Sequence, residues 1–135
     1  MSAPGDTLAE GTATMEGRRM EDTAPREVED LVYQAVSMLV SGDFAGLERW
    51  TGGLRLSAAQ MRAALDDYDA EFVLPSKAGQ MSSTDFYDAA KERPWFRVDT
   101  FLRTANGPTD LVLQLDVFQD ESGRYTLLVN NIFIP

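Results

Sequence analysis

From Val28 to Val40, the apolar residues Val28, Leu31, Val32, Ala35, Val36, Leu39 and Val40 recur every three or four positions. That spacing predicts an amphipathic helix with one continuous apolar face. Thr23, Ala24 and Pro25 precede it, and proline suits a first helical turn because its missing amide hydrogen would have had no partner there. Glu27, Glu29 and Asp30 favour the positive end of the helix dipole, and Gly42 marks a stop. Asp43 predicts the cap of a second, short helix from Phe44 to about Trp50, ended by Gly52-Gly53. A third helix begins at Ser57, where Ser57 and Gln60 have capping-box spacing and Leu56 can pack on Met61 across the cap. Met61, Ala64, Leu65 and Tyr68 form its inward face.

Beyond Glu71 the period drops to two. Phe72, Val73 and Leu74 predict a short strand ended by Pro75. Residues 76–93 are polar and irregular, and the pattern allows one helical turn through Asp85, Phe86, Tyr87 and Ala90. Three longer strands are predicted at 95–104, 110–119 and 124–134. They are joined through Asn106-Gly107 and Glu121-Ser122-Gly123, residues that favour turns in an antiparallel meander. Helices first and strands after define an α+β fold: two or three N-terminal helices packed on one face of a curved antiparallel sheet of three to four strands.

The strand alternation carries more than fold. In the first long strand Phe96, Val98, Thr100, Leu102 and Thr104 share one side, and Trp95, Arg97, Asp99, Phe101 and Arg103 share the other. The next strand sets Leu111, Leu113, Leu115 and Val117 against Val112, Gln114, Asp116 and Phe118. In the last, strict alternation puts Tyr125, Leu127, Val129 and Phe133 on one face and Leu128, Ile132 and Ile134 on the other. Neither side of such a sheet is purely polar, although an antiparallel sheet can leave one side wet. The outer side must be covered by residues 76–93, by a partner, or by a second copy.

Of 135 residues, 44% are apolar and 25% charged, which fits one globular domain. Residues 1–22 offer only Leu8 and three methionines as large apolar groups, so they are expected to form a disordered acidic tail ahead of a domain at 23–135. There is no cysteine, which removes thiol nucleophiles, thiolate metal sites and disulfides. There is no histidine either, so no Ser-His or Cys-His dyad can form and imidazole is absent as base or ligand. No cofactor is implied, since no phosphate loop or dinucleotide fingerprint occurs. The net charge of −10 argues against nucleic acid and anionic membrane as partners; it could attract a basic protein, although acidic charge more often serves solubility alone. No apolar run is long enough to span a bilayer and no secretion signal precedes the helices, so a cytoplasmic location is expected.

At Ser41-Gly42-Asp43-Phe44-Ala45-Gly46-Leu47 the chain resembles the nuclear transport factor 2-like (SnoaL-like) superfamily, in which a long first helix often ends in Gly-Asp and an aromatic before a second helix. The later strands are also similar to the curved sheet of that fold. More narrowly, Leu56-Ser57-Ala58 with its helix through Tyr68, followed by Phe72-Val73-Leu74-Pro75, resembles an uncharacterised bacterial domain family of unknown function. Superfamily members include isomerases, dehydratases, ligand binders and assembly domains, so a shared fold names no activity. The enzymes among them commonly use Asp-His or Tyr-Asp pairs, and without histidine no catalytic residue carries over.

Three constellations remain. Asp66, Asp67, Asp69 and Glu71 crowd the end of the third helix, and Asp67, Asp69 and Glu71 stand at the first, third and fifth positions of a calcium loop. Phe72 then occupies the position that needs glycine and Ala78 the one that needs glutamate, which defeats the calcium reading. Tyr68, Tyr87, Trp50 and Trp95 could line a cone between helices and sheet or serve as core aromatics. Trp95, Arg97, Phe101 and Arg103 are the stronger candidates for a binding surface, because aromatics and arginine dominate interface energetics. The expected function is therefore a non-catalytic protein-binding module. It would take a protein partner or form a homodimer through the outer sheet face, as immunity or antitoxin-like proteins do. The alternative is a small-molecule-binding or enzymatic cone that uses carboxylates, tyrosine and arginine.

Overall fold

A computed structural model describes residues 24–53, 55–88 and 96–135. The expected tail, Trp95 and Ala90 lie outside them. Four helices precede or flank four strands: α1 Arg26–Val40, α2 Phe44–Thr51, α3 Ala58–Tyr68, α4 Lys77–Met81, β1 Thr84–Asp88, β2 Phe96–Thr104, β3 Gly107–Gln119 and β4 Tyr125–Phe133. The strands form one antiparallel sheet in the order β1-β2-β3-β4, so the fold is α+β as the sequence predicts.

The α1 face is as read: Val28, Val32, Ala35, Val36 and Leu39 are fully buried, and Leu31 and Val40 pack against the core. Pro25 stands at the N-cap, one step before the helix, and its carbonyl accepts from the Val28 and Glu29 amides. Gly42 takes a left-handed φ of 85°, which a side chain would strain, and turns the chain directly into the Asp43 cap of α2. The Asp43 carboxylate accepts from the Gly46 amide at 3.0 Å.

At α3 the capping box is complete. Ser57 Oγ accepts from the Gln60 amide at 3.1 Å and Gln60 Oε1 accepts from the Ser57 amide at 2.8 Å. Ser57→Ala should therefore lower stability by about 1 kcal/mol in urea denaturation, and Ser57→Gly by less. A neutral alanine would show that the cap contributes nothing.

The helices lie on one side of the sheet. Leu39, Leu47, Met61 and Leu65 meet Val98, Leu102, Leu113, Leu115, Val117, Leu127, Val129 and Ile132 in a single core. Burying one such aliphatic side chain contributes roughly 1.5–3 kcal/mol.

Three expectations need correction. Phe72–Leu74 is not a strand: only Val73 pairs, in one bridge to Arg103, and Val73 and Leu74 are exposed. Pro75 lacks the amide that would continue the ladder. The described part of residues 76–93 is not irregular and has no helical turn at Asp85–Tyr87. It forms α4 and then β1, whose residues Thr84–Asp88 pair along β2. Hydrogen bonds hold this region more than apolar burial does. Gln80 is fully buried and donates to Thr100 Oγ1 (2.7 Å) and the Phe101 carbonyl (2.9 Å), and the Thr84 hydroxyl donates to the Gln80 carbonyl. Finally, β4 does not alternate strictly. Gln114 pairs with Asn131 and Leu115 with Val129, so Asn130 is an extra residue, a β-bulge. The bulge puts Ile132 in the core with Leu127 and Val129, and Phe133 opposite Val112 on the outer side.

Candidate functional site

Cross-strand register assembles the outer face in rows. Tyr87, Arg97, Asp116 and Leu128 stand side by side across the four strands; Asp85, Asp99, Gln114 and Asn131 form the next row; Phe101, Val112 and Phe133 form a third. Pleating directs all of these away from the helices. Of the predicted binding residues, Arg97 and Phe101 share this face. Arg103 lies past a register shift, opposite Pro108, and donates to Ser83 Oγ (2.9 Å) and the Gly79 carbonyl (3.3 Å). Its described role is to tie the end of α4 to β2. Trp95 lies outside the described residues.

The centre of the face is Asp116, a residue that the sequence reading places on this side without singling it out. Its side chain is 0% exposed, yet it sits on the side away from the helices. Both oxygens are occupied: Arg97 Nε donates to Oδ1 at 3.1 Å and Arg55 Nη1 donates to Oδ2 at 3.2 Å. The two arginines are 41% and 48% exposed, so the buried carboxylate fixes two guanidinium groups that remain in contact with water. Arg55 comes from the segment between α2 and α3 and also donates to the Asn130 side-chain carbonyl. Asn130 Nδ2 donates to Gln114 Oε1 at 2.5 Å, and Gln114 Nε2 donates to Asp99 Oδ1 at 3.0 Å. The bulge residue thus links the α2–α3 connection to a polar chain across β3 and β2. Burying a charge is costly unless it is paired and hydrogen-bonded, and here Asp116 is paired twice.

Phe101 is half-buried and lines a shallow depression of about 310 Å³ with Ser83, Thr84 and Pro108. The described part of residues 76–93 does not cover this face. β1 extends the sheet edgewise, and α4 packs near α1, where the Tyr33 hydroxyl donates to the Pro75 carbonyl at 2.5 Å and Lys77 pairs with Asp30.

The helix-facing side is chemically quieter. Its described buried polar groups are Thr51, Gln80, Thr84 and Thr100; the Thr84 and Thr100 hydroxyls are 2.6 Å apart, and Gln80 Oε1 has no hydrogen-bond partner among the described residues. No charged side chain is buried there among the described residues. Trp50, offered for a cone, is exposed; Tyr68 donates to Asp110 at 2.6 Å and packs beside Phe72. Among the described residues no group of three or more carboxylates is arranged to hold a metal ion, and no helix is long and apolar enough to cross a membrane.

Against known families, residues 36–135 match the domain of unknown function DUF7668. The chain belongs to that family. The match begins inside α1 and includes Asp116 with both of its arginine partners. It agrees with the resemblance to an uncharacterised domain family and gives no support to the nuclear transport factor 2-like one. No curated protein and no solved structure matches the chain. The DUF7668 domain is therefore read from its own geometry.

Proposed function

We propose that this DUF7668 protein is a non-catalytic protein-binding module that engages its partner, or a second copy, through the outer face of the sheet. The observation that carries the reading is the clamp on Asp116. A fully buried carboxylate holds Arg55 and Arg97 in fixed positions, half exposed, on a face that also carries Phe101, Leu128 and Phe133. Arginine and aromatic groups fixed before contact lose little side-chain freedom on binding, which is the usual chemistry of interface hot spots. The net charge of −10 favours a basic partner, as expected of an immunity or antitoxin-type protein in a bacterial cytoplasm. The alternative cone of the nuclear transport factor 2-like kind would draw on the helix-facing side, where Gln80 and three threonines are the buried polar groups described.

Phe101→Asp tests the face. The expected result is a folded protein by circular dichroism that has lost self-association in size-exclusion chromatography with light scattering, or has lost a partner that copurifies with the wild type. Thr126→Arg, at an exposed position opposite Phe118, supplies the same test if Phe101→Asp fails to fold. A folded variant that associates as the wild type does would rule out the outer face.

A further inference from the structure

A second feature lies beyond that face. Between α3 and the end of β4 runs an open groove of about 490 Å³, within the size range of binding clefts. Ala63 and Ala64 leave room on the helix side, Ile132 and Ile134 form the strand side, and Leu56 and Leu111 line the space between.

Among the described residues, the strand beside it is a free edge of the sheet. Sheets commonly guard their edges with charge or brevity. β1, the opposite edge, has both: five residues including Asp85. β4 is nine residues long, and residues 125–135 carry no charged side chain in a chain with 34 of them. At the groove the Ile132 amide donates to the neighbouring Asn131 side-chain carbonyl at 2.9 Å, a local substitute for an inter-strand bond.

The rim is acidic. Asp67 lines the groove, Asp110 sits on the Tyr68 hydroxyl at its edge, and Asp66, Asp69 and Glu71 follow at the end of α3. None of the five is bridged to a lysine or arginine among the described residues, and α3 has no basic residue in its last turn. This concentrates negative charge where the helix dipole is also negative.

We propose that the groove receives an extended segment of a basic partner protein, added as a strand to β4. The side chains on one face of the added strand would enter the groove, apolar ones between Ala64 and Ile132 and a flanking lysine or arginine beside Asp67 and Asp110. Main-chain bonding along an edge supplies affinity in such complexes, and the alternating side chains supply selectivity. Charge complementarity selects the occupant: a second copy of this acidic chain would bring like charge to the rim.

The test uses a labelled Lys-Ser-Val-Ser-Val-Ser-Lys peptide, whose lysines and valines share one face, with the full chain, followed by amide NMR shifts. Saturable shifts are expected at Ile132–Ile134 and Ala63–Asp67, with a dissociation constant below about 1 mM. A Glu-Ser-Val-Ser-Val-Ser-Glu peptide should not bind. Ala63→Trp should fill the groove and abolish binding; should that variant misfold, Asp67→Lys, at an exposed site, should weaken binding about tenfold or more. Absence of saturable shifts in the groove up to about 1 mM would overturn the proposal, as would equal binding of the acidic peptide or wild-type affinity in either folded variant. Phe101→Asp leaves the groove intact, so a failure here is separable from a failure of the outer face.

Discussion

Asp116→Ala should lower stability by about 2–3 kcal/mol, seen as a lower urea midpoint with an unchanged slope. Breaking a buried ion pair by removing one partner commonly costs about 3–5 kcal/mol, because a charge is left without a partner. The arginines here are 41% and 48% exposed and can recover hydration, which lowers the figure. What is lost outright is two charge-assisted hydrogen bonds and the volume of a fully buried side chain. Asp116→Asn keeps the shape and one acceptor, so its cost should be smaller. Arg55→Ala and Arg97→Ala should each cost less than Asp116→Ala, since one cation still serves the carboxylate. If Asp116→Ala is neutral, the carboxylate does not organise the face, and the argument from fixed arginines fails with it.

Why this centre escaped sequence reading is a matter of register. Thr104 pairs with Gly107 across the β2–β3 turn, and an unbroken ladder from that turn would set Arg97 opposite Gln114. A shift between Phe101 and Arg103 leaves extra residues in β3, and Arg97 meets Asp116 instead. The Thr109 hydroxyl bridges the break, donating to the Leu102 carbonyl at 2.8 Å while accepting from the Leu111 amide at 3.1 Å. Alternation therefore reveals which residues share a face, and Arg97, Asp99, Phe101, Gln114 and Asp116 were all legible on one side. Which of them touch depends on bulges, and bulges leave no periodic signal. Arg55 was harder still, because it sits in a connection between helices and reaches Asp116 only through tertiary structure. Elements with strong local chemistry were the readable ones. The α1 stripe, the Asp43 and Ser57 caps and the three long strands each follow from side chains within a few residues of one another. α4 and β1 were missed because Gln80 and Thr84 are held by hydrogen bonds to each other and to Thr100, with Phe86 the one large apolar residue that β1 buries.

The bulge at Asn130 leads to the largest effect expected from a single substitution. Strict alternation along β4 would make Phe133 a core residue with Leu127 and Val129, and Ile132 an outer one. The observed register reverses this: Ile132 is 8% exposed within the core, and Phe133 stands half-buried beside Val112 on the outer face. Ile132→Asp would remove about 1.5–3 kcal/mol of apolar burial and place a carboxylate among aliphatic side chains. The combined loss should exceed about 4 kcal/mol, enough to unfold a domain of ordinary stability at room temperature. Phe133→Asp, whose side chain can reach water, should cost no more than about 2 kcal/mol and leave a cooperative urea transition. Far-ultraviolet circular dichroism of the two variants, read side by side, decides the matter. An unfolded Phe133→Asp beside a folded Ile132→Asp would mean that β4 alternates without interruption. Asn130 would then be an ordinary strand residue, the direct cross-strand partner of Gln114 in the register that pairs Leu115 with Val129.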